Sequence, residues 1–171
     1  MTPEIIAEGK FLRFMRRGHW EYVERRNISG IVGIVAVTSE SKLLLVEQFR
    51  PPLQKNVIEL PAGLAGDITG SEEELLAEAA RRELLEETGY AAERFELLTE
   101  GAASAGLCDE IIGLFKASGL KKVTDGGGDH SERITVHEIP LSEVHPWLEQ
   151  RHQSGTVIDL KVYAGLCFLS E

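Results

Sequence analysis

Apolar residues change their spacing along this chain, and the changes mark its elements. Residues 31–38 are almost entirely apolar, and residues 42–48 carry a second apolar block. Short apolar runs without polar alternation predict strands covered on both faces. Residues 38–41 between them form a tight connection. Arg50-Pro51-Pro52 must leave the sheet, because proline gives up a ladder donor and restricts the residue before it. Residues 57–60 then form a short strand ending at Pro61-Ala62-Gly63, and residues 63–70 a flexible loop. Further strands fall at 95–99, 110–116 and 134–139. Upstream, residues 10–26 hold two runs with aromatic and β-branched residues around Arg17-Gly18-His19, the pattern of a hairpin. Its many charges suit a sheet edge or a contact with another subunit.

Helical spacing appears at 71–88. Ser71 is the expected N-cap, with Glu74 three residues on in a capping-box pattern, and Gly89 terminates the helix. Three glycines at 126–128 place a loop over 121–131. Ser142 is expected to cap a helix reaching about residue 153, and 157–169 reads as the last helix. Trp147 reads as core. Strands mixed with few helices predict an α/β sandwich around a mixed sheet.

Composition narrows the function. A chain of 171 residues with 43% hydrophobic content is one domain with a proper core. The net charge of −10 argues against nucleic acid or an anionic membrane as partner. A small polyanion stays open, because bound metal reverses the local sign. Cys108 and Cys167 form no CxxC and read as ordinary thiols. The N-terminal MTPEIIAEGK lacks a signal-peptide run, and no apolar stretch approaches the roughly 20 residues of a membrane helix. A soluble cytoplasmic protein is the expectation. The five histidines show no ligand spacing.

The chemistry concentrates in SEEELLAEAARRELLEETGY, residues 71–90. On a helical wheel Leu76, Ala79, Ala80 and Leu84 define the inward face. Glu83 and Glu87 fall within about 20° of Leu76, inside that stripe, and Glu86 lies on its margin. An ordinary amphipathic helix puts carboxylates on the opposite face. The macrodipole disfavours Glu86 and Glu87 in the last turn. Glu83 and Glu87 are also a like-charged i, i+4 pair. A divalent cation would offset all three costs, and oxygen-only ligands suit Mg²⁺ or Mn²⁺. A solvated acidic helix end is the plain alternative, and the wheel position weighs against it.

Arg82-Glu83-Leu84-Leu85-Glu86-Glu87-Thr88-Gly89-Tyr90 resembles the second half of the Nudix box, with Glu74 eight positions upstream and Gly63 as its opening glycine. The usual spacing between that glycine and the first glutamate is shorter, so residues 64–73 look like an insertion of five. Gly18-His19-Trp20-Glu21-Tyr22-Val23, Val46-Glu47-Gln48-Phe49-Arg50-Pro51-Pro52 and Glu59-Leu60-Pro61-Ala62-Gly63 resemble the ADP-ribose and nucleoside-diphosphate-sugar pyrophosphatase branch.

The resemblance implies a Nudix-type α/β/α sandwich at 30–171, with an N-terminal hairpin extension at 1–29 that serves a homodimer. It implies metal ligation by Glu83, Glu86, Glu87 and the Ala62 carbonyl, with Arg82 orienting the glutamates. Arg50 would contact a phosphate, as its planar charge suits. Glu59 would accept a hydrogen bond from substrate or make a structural salt bridge. Glu132, and after it Glu110, match the position of a general base on a late loop, which the glycines at 126–128 would let close. For Trp20 and Tyr22 hairpin packing is the simpler role, and stacking on a nucleobase across the dimer the other. The implied reaction splits a nucleotide-sugar diphosphate into a nucleoside monophosphate and a sugar phosphate. Three rivals are a non-catalytic nucleotide-sugar sensor, a nucleoside triphosphate pyrophosphohydrolase and a structural dimerisation domain with an acidic helix. The intact Glu83, Glu86 and Glu87 disfavour the first, and the N-terminal extension disfavours the second.

Overall fold

The computed structural model describes residues 1–68, 70, 73–128 and 133–169. Its centre is the pair of apolar blocks. Gly30–Ala36 forms β4 and Lys42–Arg50 forms β5, and both are buried almost throughout. β4 heads a four-stranded sheet. It pairs in parallel with β10 (Ile111–Ser118) and antiparallel with β7 (Ala62–Ala65), and β10 pairs with β9 (Arg94–Ala102). β5 heads a second sheet. It pairs antiparallel with β12 (Ile134–Pro140) and with β6 (Lys55–Glu59), which takes β13 (Val157–Ile158) in parallel. Both sheets are therefore mixed.

Helices cover the two outer sides. α1 (Leu76–Thr88) buries Ala79, Ala80 and Leu84 against Val32, Ile34, Ala36 and Phe115. α2 (Val144–Gln153) and α3 (Leu160–Cys167) bury Val144, Leu148 and Val162 against Val35, Leu43, Leu45 and Ile58. Each fully buried Leu or Ile contributes roughly 1.5–3 kcal/mol. Trp147 packs on this second core, 5.0 Å from the His137 ring. It also covers a buried cluster in which the Glu47 carboxylate meets His137 at 2.9 Å, Asn56 at 3.1 Å and the Arg151 guanidinium. That cluster ties α2 to β5.

The hairpin expected at 10–26 is present as β2 (Leu12–Arg17) and β3 (Trp20–Arg25), turning at Gly18 with φ 67°. A third strand, β1 (Glu4–Glu8), pairs with β2. Among the described residues no helix is long and apolar enough to cross a membrane.

Several local expectations are corrected. The loop expected from residue 63 begins as strand β7, because β4 supplies its ladder partners. The first helix starts at Leu76. Its N-cap is Leu75, which makes no side-chain cap bond, and Ser71 lies outside the described residues. Glu74 does not close a capping box, because its carboxylate accepts from Gly66 N–H at 3.2 Å and from Arg82. Ser142 sits within a 3-10 turn, Leu141–Glu143, that leads into α2. Val157 and Ile158 pair with β6 instead of opening a helix, and Asp159 caps α3 through Lys161 N–H at 2.8 Å. Lys121–Lys122, expected as loop, forms the two-residue strand β11 against β8 (Tyr90–Ala91).

Candidate active site

α1 carries its glutamates as the wheel predicts. Glu87 is only 4% exposed, and Glu83 is largely covered beside it. The Glu87 carboxylate accepts from Ala62 N–H at 3.0 Å. Gly63 leaves the space that Glu83 fills, and a Cβ there would collide with the Glu83 carboxyl. Burial pushes that carboxyl up to about 7 against the lowering pull of Arg82, with Glu86 and Asp67 adding to the rise. A carboxylate stripped of water beside like charges gains from a cation more than a solvated one does.

Arg82 is the hub of this corner. Its guanidinium donates to Leu64 O at 2.8 Å and Glu83 Oε1 at 2.7 Å, and to Glu86 Oε2 at 3.4 Å. It also donates to Glu74 Oε2 at 3.2 Å and Asp67 Oδ1 at 3.4 Å. Hydrogen bonding to Arg82 holds the Glu74 carboxyl below its usual range, against burial and with help from Gly66 N–H. The segment between β7 and α1 is thus moored to the helix through Asp67 and Glu74.

The last turn of α1 is moored as well. It ends on Gly89, left-handed at φ 76°. Gly127 N–H donates to Glu87 O at 2.8 Å and Gly128 N–H to Glu86 O at 3.1 Å. The glycines at 126–128 thus supply donors to the orphan carbonyls of the last helical turn.

A cleft of about 610 Å³ opens over these groups. Glu83, Glu87, Ala62 and Asp67 line it, and so do Arg50, Glu59 and Glu110. Arg50 and Glu59 form a two-pronged pair, with Nε to Oε1 at 2.8 Å and Nη2 to Oε2 as the second bond. Glu59 is buried and Arg50 is partly open. Glu110 accepts from Arg25 Nε at 2.9 Å. Glu86 is about half exposed on the margin, bonded to Arg82. Trp20 is 54% exposed, beside His19, and is not among the cleft residues. Glu132 lies outside the described residues.

Among the described residues no three acidic, His or Cys side chains stand together as a ready cation cage. Arg82 draws Glu83 and Glu86 aside. The donor chemistry still fits a hard divalent cation, since Glu83 and Glu87 put buried oxygens on one cleft beside the Ala62 backbone. Sequence reasoning missed Gln48, Asp67, Asp159 and Lys161 as cleft residues and Arg25 as the partner of Glu110. Asp159, a capping type before an apolar run, carried a readable signal. The Arg25–Glu110 contact spans 85 residues and carried none.

Known proteins resemble this chain in sequence and in fold. The chain is 39% identical over 132 residues to the methanol dehydrogenase activator of Bacillus methanolicus, covering 75% of this chain and 69% of that one. It is 37% identical over 123 residues to the ADP-ribose pyrophosphatase of Bacillus subtilis (strain 168), covering 71% and 64%. It is 35% identical over 189 residues to the ADP-sugar pyrophosphatase of Mus musculus, covering 95% and 83%. The chain thus spans about two thirds of the length of the two bacterial relatives. The fold matches a solved structure titled as an ADP compounds hydrolase at TM-score 0.68 and 21% identity, over 87% of this chain and 81% of that one. The NUDIX domain family matches residues 29–155, and this chain belongs to it.

Proposed function

We propose that this chain hydrolyses the diphosphate bond of ADP-ribose or a related nucleoside diphosphate sugar, releasing a nucleoside monophosphate and a sugar phosphate. The observation that carries the reading is one cleft holding two helix carboxylates, the buried Glu87 and the largely covered Glu83, together with the Arg50 guanidinium. Relatives named ADP-ribose, ADP-sugar and GDP-mannose pyrophosphatase support it.

Members of this family generally need a divalent cation, which here would be Mg²⁺ or Mn²⁺ on Glu83, Glu86, Glu87 and the Ala62 carbonyl, and which when bound neutralises a diphosphate and acidifies water. Arg82 orients Glu83 and Glu86. Arg50, braced by Glu59 on the cleft wall, would contact a phosphate oxygen with its planar guanidinium. Glu132 or Glu110 takes the proton of the attacking water. Arg25 holds Glu110 at the cleft.

A cytoplasmic homodimer completes the reading. The N-terminal sheet exposes Ile5, Phe14 and Trp20, with exposed Phe11 just before β2. A partner would cover it and bring Trp20 toward a nucleobase. Sedimentation equilibrium should give twice the chain mass, and a monomer at all concentrations would sink the dimer.

Chromatographic product analysis tests the reaction itself. ADP-ribose, ADP-glucose, UDP-glucose and GDP-mannose are incubated with the chain and Mg²⁺. Nucleoside monophosphate should appear from at least one, with an ADP compound fastest. EDTA should stop it and added Mg²⁺ or Mn²⁺ restore it. Tight binding without turnover would turn the reading to a sensor.

A further inference from the structure

The cleft has a second polar wall that none of these roles uses. β13 runs parallel to β6 with Val157 beside Val57 and Ile158 beside Ile58, so the register brings Asp159 level with Glu59. Asp159 N–H donates to Ile58 O at 2.9 Å, which fastens the strand end. Glu59, Asp159 and Lys161 all line the cleft. Glu59 holds the Arg50 guanidinium, and Asp159 holds the Lys161 ammonium. Two carboxylate–cation pairs therefore stand in one cleft, one on β5 and β6 and the other at the start of α3.

The second pair is built in. Asp159 Oδ1 caps α3 through Lys161 N–H, which fixes the carboxylate, and Oδ2 holds the ammonium. Lys161 keeps 32% of its side chain exposed. An ammonium has three donors and a carboxylate about four acceptor sites. Both kinds of group remain available after the internal bond.

We propose that Asp159 and Lys161 form a subsite for sugar hydroxyls, the ammonium donating to and the carboxylate accepting from neighbouring hydroxyls of a sugar joined to the diphosphate. The inference rests on the diphosphatase reading above. A hydroxyl both donates and accepts, so an ammonium and a carboxylate side by side meet it with an acceptor and a donor at once. The rest of the cleft agrees. Among the described residues that line it there is no Trp, Tyr or Phe, so this wall meets the hydrophilic part of a nucleotide sugar and not its base.

The test compares Lys161→Gln, Lys161→Arg and Asp159→Asn with wild type. Asparagine keeps the helix cap and removes the charge. The substrates are ADP-ribose and ADP methylated on its terminal phosphate, which has a diphosphate bond and no second sugar. Losing one charge-assisted hydrogen bond should raise KM for ADP-ribose roughly tenfold or more, with kcat little changed. Asp159→Asn should act in the same direction, and Lys161→Arg should recover most of the affinity. An unchanged KM for methyl-ADP assigns the subsite to the terminal sugar, and an equal rise assigns it to the nucleoside ribose. Unchanged KM for both substrates overturns the subsite. If wild type hydrolyses neither, calorimetry with ribose 5-phosphate and with AMP decides. Weaker binding to Lys161→Gln keeps the subsite and ends the reading of ADP-ribose as substrate. Equal binding, or none to wild type, overturns the subsite as well.

Discussion

Glu87→Gln is expected to lower turnover of a nucleoside diphosphate sugar about a thousandfold while leaving the fold intact, since a metal ligand supplies several kcal/mol of transition-state stabilisation and each 1.36 kcal/mol is tenfold. Glutamine keeps the volume of a side chain that is 4% exposed, and it keeps an oxygen to accept from Ala62 N–H. It removes one charge from the i, i+4 pair with Glu83, a small relief in the absence of metal. The metal-free melting temperature should therefore hold or rise slightly. The response to metal separates this account from simple damage. At a hundred times its Kd a cation stabilises the folded state by about 2.7 kcal/mol, which is roughly 5–10 °C for a chain of this size. Wild type should show that rise with Mg²⁺ or Mn²⁺, and the variant should lose most of it. A variant that keeps both the rise and the activity would remove Glu87 from the metal site. A variant that melts early without metal would make Glu87 a structural residue.

The parts of the fold that could be read in advance are those whose signal is local. β4 and β5 are buried on both faces, so their unbroken apolar runs need no knowledge of a partner. The odd carboxylates of α1 were readable because 3.6-residue periodicity fixes their side regardless of what covers it. The rest depends on contacts between distant segments. β1 is exposed along its whole length and shows no alternation, since it stands on an outer sheet. β7 is Ala-Gly-Leu-Ala, with no strand propensity, and β4 holds it in place. The helix start was misjudged because Glu74 fits a capping box in sequence, while in space Arg82 offers it a charged partner eight residues on. Arg50 and Glu59 were each readable as candidates. That they brace each other was not readable: the β5–β6 register sets Arg50 opposite Lys55 and Glu59 opposite Val46, and the pair forms through the reach of the long Arg50 side chain.

Gly126→Ala is expected to destabilise the chain by about 2–4 kcal/mol, the sum of backbone strain and lost hydrogen bonds. That lowers the melting temperature by roughly 5–15 °C. Gly126 sits at φ 68°, where a Cβ costs about 1–2 kcal/mol by itself. The new Cβ would also meet backbone that cannot swing away: the Thr88 carbonyl carbon, Gly89 N at 2.6 Å and Glu87 O at 2.8 Å. The loop must lift, and the bonds from Gly127 and Gly128 to Glu87 O and Glu86 O lift with it. Gly155→Ala is the matched control, with φ 94° and nothing within 4 Å of its Cβ. It should lose only the strain. The difference between the two variants measures the mooring of the helix end. Because Glu86 and Glu87 ride on that last turn, Gly126→Ala should also need more Mg²⁺ for half-maximal activity at a temperature where it is still folded, and Gly155→Ala should not. Equal melting losses in the two variants would mean that the glycine loop only passes the helix end and does not hold it.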